Sequence, residues 1–137
     1  TRALTAYGQA FFIPTADEQA QGARWIRCDV FLWRGTKLSP LPFDTAPLIP
    51  QPLTAAVRRC LTSKDYATTC DATHVYKATG DFNIHKNRYP TRATMIRIGR
   101  AKCPALTTTR TYRFFWPSKA AWKDGYKVMV CYSKTRH

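Results

Sequence analysis

Two imidazoles and an amine, those of His74, His85 and Lys102, are the residue types that could cleave an RNA phosphodiester. One imidazole would take the 2′-hydroxyl proton, the other would protonate the leaving oxygen, and the amine would face the developing charge. A histidine signals acid–base work only with a neighbour in space, however, and each of these has a plainer reading. His74 stands four residues after Cys70 in CDATHVY, where a strand-end histidine packs, and His85 lies in a polar turn. Paired carboxylates are poorly supplied: the single glutamate, Glu18, sits where it caps a helix, and the aspartates are scattered. No Gly-x-Ser-x-Gly elbow occurs. The five cysteines show neither a CxxC pair nor a Cys/His spacing suited to zinc, so no metal or other cofactor is expected. A non-enzymatic chain therefore outweighs a small secreted ribonuclease, which stays as the alternative.

Charge points to a partner more directly. Twenty-two Lys and Arg against eight Asp and Glu give +14 and a pI near 10.0, a balance that favours anionic partners. Between Asp81 and Asp124 there is no acid at all. Lys86, Arg88, Arg92, Arg97, Arg100, Lys102, Arg110 and Arg113 fall in that stretch and are the candidate anion-binding residues. In HKNRYPTRATMIRIGR the first five of them, Lys86 to Arg100, fall near Tyr89, a phosphate-and-stacking strip in outline. Nucleic acid is one candidate partner, but no RNP, zinc-finger or helix-turn-helix pattern backs it. An anionic cell-envelope polymer or protein would be held by the same charges, and the bland alternative is a merely solvated face. A third reading docks another chain through Trp25, Trp33 and Trp116.

The elements that must position these residues are announced by a recurrence. FFIPTADEQAQGARWIRC at 11 to 28 and FFWPSKAAWKDGYKVMVC at 114 to 131 share Phe-Phe-x-Pro-[Thr/Ser]-x6-Gly-x5-Cys without a gap, which reads as an internal repeat. Thr15 with Glu18 forms a capping box, Ser118 keeps the cap, and Gly22 and Gly125 end the two short helices. After each glycine the pattern switches to period two, a strand carrying Cys28 or Cys131. Phe114, Phe115, Trp116 and Trp122 read as core rather than as ligand stackers.

Elsewhere, Pro40, Pro42, Pro47, Pro50 and Pro52 make 39–53 a crossover. A helix over 54–61 follows, with Thr54 as cap and Leu53, Val57 and Leu61 on one face. HVYKATGDFNI predicts two strands about a Gly-Asp turn, and 93–103 predicts a helix broken or bent near Gly99. The expected fold is a small disulfide-stabilised α+β domain of antiparallel strands and short helices. Residues 1–38 would be the end of a first repeat copy and 54–137 a complete one, all in one compact unit of 137 residues. No apolar run approaches the roughly 20 residues of a membrane span. The abrupt opening at TRALTAYGQAFF reads as that of a processed chain.

RCLTS, TTCDATHVYKATGDF, RYPT, RAKCPAL and the closing FFWPSKAAWKDGYKVMVCYS follow one another from residue 59 to 133. In that order they resemble the septum-formation domain of actinobacterial secreted proteins and lipoproteins. The matching positions are Cys60, Cys70 with His74, Cys103, and Pro117, Ser118, Trp122, Gly125 and Cys131. Arg58-Arg59 and Thr73 depart from the family's Gly-Asp and Pro. The resemblance implies an extracellular or cell-envelope protein without catalytic residues to carry over. By order and loop length the disulfides expected are Cys70 with Cys103 and Cys60 with Cys131. Cys28 is left over, its partner expected upstream of Thr1.

Overall fold

A computed structural model describes residues 2–41 and 47–135. The strands are β1 (Tyr7–Phe12), β2 (Arg27–Arg34), β3 (Lys37–Ser39), β4 (Arg59–Leu61), β5 (Ala67–Thr69), β6 (Tyr76–Asn83), β7 (Tyr112–Phe115) and β8 (Val128–Lys134). Between them lie the helices α1 (Ala16–Ala20), α2 (Arg92–Lys102) and α3 (Lys119–Lys123). All strand pairing is antiparallel, in two sheets ordered β1-β2-β3 and β5-β4-β6-β8-β7. The fold is α+β, as its composition of short alternating runs and capped helices predicts.

Period two decides what each face of the larger sheet meets. Along β8, Val130 and Tyr132 join Leu61, Tyr76, Ala78 and Ala3 in one buried cluster. Met129 points the other way, into a second cluster with Ile84, Met95 of α2 and Trp122 of α3. Helices α2 and α3 lie on this second side, whereas a 3-10 turn at Arg2–Leu4 packs Ala3 and Leu4 on the first. The small sheet is tied to the large one at its β4–β5 end. Ala6 N–H donates to Val57 O at 2.8 Å and Gly35 N–H to Ala67 O at 2.9 Å.

Both Phe-Phe-x-Pro stretches build the same hairpin. Phe11 sits opposite Cys28 in the β1–β2 register, and Phe114 sits opposite Cys131 in the β7–β8 register. The Thr15 hydroxyl accepts from Glu18 N–H at 3.3 Å, and the Ser118 hydroxyl accepts from Ala121 N–H at 3.1 Å. Gly22 and Gly125 close the helices at φ of 96° and 88°, where only glycine is unstrained.

Several expectations are corrected. Residues 54–57 make a single turn, Arg58 N–H donating to Thr54 O at 2.9 Å, after which the chain extends into β4. Pairing with both β5 and β6 outweighs the helical spacing of Val57 and Leu61. Gly80-Asp81 is no turn: β6 runs through it, paired with Cys131 and Val130 of β8 and bulged between Ala78 and Gly80, and the glycine leaves room for Leu106, which a Cβ would meet at 2.7 Å. The helix over 92–102 is unbroken at Gly99, which gives room to the Phe114 ring. Of the expected crossover, 42–46 lie outside the described residues.

Neither expected disulfide forms. Cys60 bonds Cys70, ten residues on, and Cys103 bonds Cys131, 28 residues on. Hairpin geometry explains the first pair, since Cys60 faces Thr68 and Cys70 follows β5 directly. The second follows from the face Cys131 shares with Met129, the face on which α2 delivers Cys103. Loop entropy makes them worth about 2.5 and 3.5 kcal/mol respectively. Cys28 is the free, exposed thiol.

Gly99→Ala places a Cβ 2.4 Å from the Phe114 ring. Overpacking should outweigh the gain in helix propensity of about 1 kcal/mol and leave a net loss of about 1–2 kcal/mol, read as a lower urea midpoint with unchanged slope. Tyr132 supplies a pH prediction. Burial raises its pKa, partly opposed by the charge and hydrogen bond of Arg59. A raised folded-state pKa gives stability that is complete below the ordinary tyrosine value of about 10 and is lost as pH climbs above it. In a Cys28→Ser background, adding Tyr132→Phe should flatten that alkaline loss in urea titrations above pH 10; an unchanged slope would contradict it.

Candidate functional site

Helix α2 carries two neighbouring stripes at a spacing of four. Met95, Gly99 and Cys103 face the sheet, while Arg92, Ile96 and Arg100 lie one stripe over. Beside this second stripe runs β7, the edge strand of the larger sheet. Lys134 N–H donates to Thr111 O at 3.0 Å, so antiparallel alternation turns the backbone groups of Tyr112 and Phe114 to the open side. Between helix and edge lies a groove of about 590 Å³, lined by Arg92, Ile96, Arg100 and residues 112–116. No carboxylate lines it among the described residues. The Arg92 guanidinium lies 5.7 Å from the centre of the Trp116 ring, a cation–π contact that holds it over the groove.

The eight candidate cations do not form one continuous face. Arg92 and Arg100 meet in the groove. Arg113 lines it too but is engaged: its guanidinium donates to Asp65 Oδ2 at 2.7 Å and lies 5.0 Å over the Tyr76 ring, and hydrogen bonding to Tyr76, aided by the charge of Asp65 and opposed by burial, raises its pKa. Arg97 is exposed on the solvent side of α2, about 100° from Ile96 at the middle of the Arg92–Arg100 stripe, and does not line the groove. Lys102, at the end of α2, covers the Phe82 ring at 5.1 Å. Lys86 and Arg88 are exposed on the segment between β6 and α2, and Arg110 is exposed before β7. Tyr89 is no stacking platform: its hydroxyl donates to Pro117 O at 2.9 Å and its ring meets Trp122 edge-on.

The histidines are kept apart. His74 precedes β6, accommodated by a contact of Nδ1 with Ala72 O at 2.7 Å, and His85 follows it. Eight residues of strand separate them by on the order of 25 Å, beyond the reach of one phosphate. Lys102 sits near the His85 end through Phe82. The acid–base set His74, His85 and Lys102 is therefore not assembled.

A second cleft, of about 470 Å³, is invisible in the sequence because its cations are scattered along the chain. Arg58, His74, Lys77 and Lys134 line it with the hydroxyls of Thr79 and Ser133, which hydrogen-bond each other at 2.9 Å. Only the pairing of β6 with β4 and β8 brings them together. Among the described residues no group of three His, Cys, Asp or Glu comes together that could hold a metal ion, and no helix is long and apolar enough to cross a membrane.

Of the predicted aromatic core, Trp122 is buried, Phe114 and Trp116 are half-buried, and Phe115 is exposed. Trp25 and Trp33 of the proposed docking set are exposed as well. No family model matches the chain, and no curated protein or solved structure matches it either.

Proposed function

We propose that this chain is a non-enzymatic binding module of the actinobacterial cell envelope, of the septum-formation family, that holds an extended anionic polymer between α2 and β7. What carries the reading is the groove itself: Arg92 and Arg100 project into it on one stripe, and no carboxylate lines it among the described residues. Its aromatic floor and its volume of about 590 Å³ suit a chain with apolar and charged parts in alternation. The two disulfides fit an oxidising compartment, as an envelope protein requires. Ribonuclease chemistry at His74 and His85 would need one phosphate to meet imidazoles at opposite ends of β6.

Titration calorimetry with a short glycerol-phosphate polymer at several salt concentrations tests the reading. Arg92→Glu with Arg100→Glu should weaken binding by on the order of tenfold or more and lower the salt slope by about one unit for each phosphate that is no longer neutralised. Arg97→Glu, which changes charge on the side away from the groove, should cost far less. Equal losses per substitution at both places, or no binding at low salt, would overturn the proposal.

A further inference from the structure

The two matching hairpins differ in one respect that bears on the free thiol. In the β7–β8 hairpin the face with Phe114, Met129 and Cys131 is covered by α2, and Met129 and Cys131 are 0% exposed. At one constant offset along the chain their counterparts are Phe11, Ile26 and Cys28. Phe11 is 69% exposed, Ile26 is 70% exposed, and the Cys28 thiol is exposed. Among the described residues Ile13 extends the exposed apolar patch, and Val30 borders Leu48 and Ile49 of the crossover. Scattered exposed apolar residues are ordinary, but a contiguous set on one face of a hairpin marks an interaction surface.

We infer that the bare face of the β1–β2 hairpin is a docking site for a partner polypeptide segment shaped like 91–106 of this chain, an amphipathic basic helix that ends in a cysteine and bonds Cys28. The covered hairpin specifies the partner. Met95, Gly99 and Cys103, each four residues after the last, supply respectively an apolar anchor, the gap that admits the Phe114 ring, and the thiol. Phe11, opposite Cys28 as Phe114 is opposite Cys131, needs the same gap. An apolar residue, a small one and a cysteine at that spacing is the expected signature. Charge does not oppose it: the hairpin from Tyr7 to Arg34 is neutral, Asp17, Glu18 and Asp29 balancing Arg24, Arg27 and Arg34, whereas 91–106 carries Arg92, Arg97, Arg100 and Lys102 and no acid. A neutral hairpin in a strongly basic chain is the part that repels a basic helix least.

The chemistry is thiol–disulfide exchange. The Cys28 thiolate attacks a disulfide between the partner cysteine and glutathione, forming the Cys28–partner bond and releasing glutathione thiolate. The test uses the whole chain with a synthetic peptide of sequence 91–106 in a glutathione redox buffer, and reads the adduct by intact mass. Docking should raise the equilibrium yield of the Cys28 adduct by on the order of tenfold over a Gly99→Val peptide, which cannot admit Phe11. Ile26→Ser in the protein should abolish that excess, read as the ratio of the two peptides' adduct yields with the same variant, so that a change in the reactivity of Cys28 itself cancels. Equal yields from the two peptides would overturn the inference. So would a Cys28–Cys28 dimer that forms ahead of the peptide adduct, since a second copy would then be the occupant.

Discussion

The α2–β7 groove depends on how α2 is held against the β7–β8 hairpin. The contact has two parts, the Phe114 ring seated where Gly99 has no side chain and the covalent bond from Cys103 to Cys131. The helix is polar overall, so propensity and a narrow apolar stripe would hold it weakly on their own. Packing and cross-link together fix both its distance and its rotation. Once Met95 and Gly99 face the sheet, the next stripe must face β7, and Arg92 and Arg100 are delivered to the groove without further constraint.

The same hairpin without its helix shows what that contact contributes. Thr15 and Ser118 cap alike, Gly22 and Gly125 adopt the same left-handed turn, and the cross-strand register is the same, so local chemistry suffices to build the unit. Burial does not follow from the local motif. Gln19 stands where the covered hairpin has Trp122; it is exposed and spends its amide on Pro14 O at 2.7 Å, whereas Trp122 joins the core. A polar residue at this point keeps the bare hairpin compatible with water without altering its backbone.

Local signals are therefore the legible ones. Capping hydroxyls, helix-ending glycines and period-two runs name α1, α3, β2 and β8 directly from residue types. The elements that residue types misname are those decided by distant partners. Leu61 belongs to a strand because β5 and β6 pair with β4 from either side, and Gly80 lies within a strand because β8 pairs with it, its missing side chain leaving room for Leu106. Disulfide connectivity is hidden for the same reason, loop length saying nothing about which sheet face a thiol occupies. The groove is half legible. A spacing of four joins Arg92 to Arg100, but nothing in the chain shows that Asp65, 48 residues away, engages Arg113. The cleft of Arg58, Lys77 and Lys134 emerges only from strand order.

Net charge of +14 draws any polyanion toward the surface, so affinity alone does not locate a site. What distinguishes the α2–β7 groove is convergence, with two arginines, the open backbone edge of β7 and the Trp116 ring all addressed to one space. Nuclear magnetic resonance tests most directly whether the anion is held there, by following the arginine side-chain and tryptophan indole signals as a glycerol-phosphate polymer is added. Shifts that saturate first at Arg92, Arg100 and Trp116, with Arg97 and Trp25 nearly still, are the predicted result. Shifts that spread evenly over all the cations, or that gather on the Arg58 and Lys77 cleft, would contradict it.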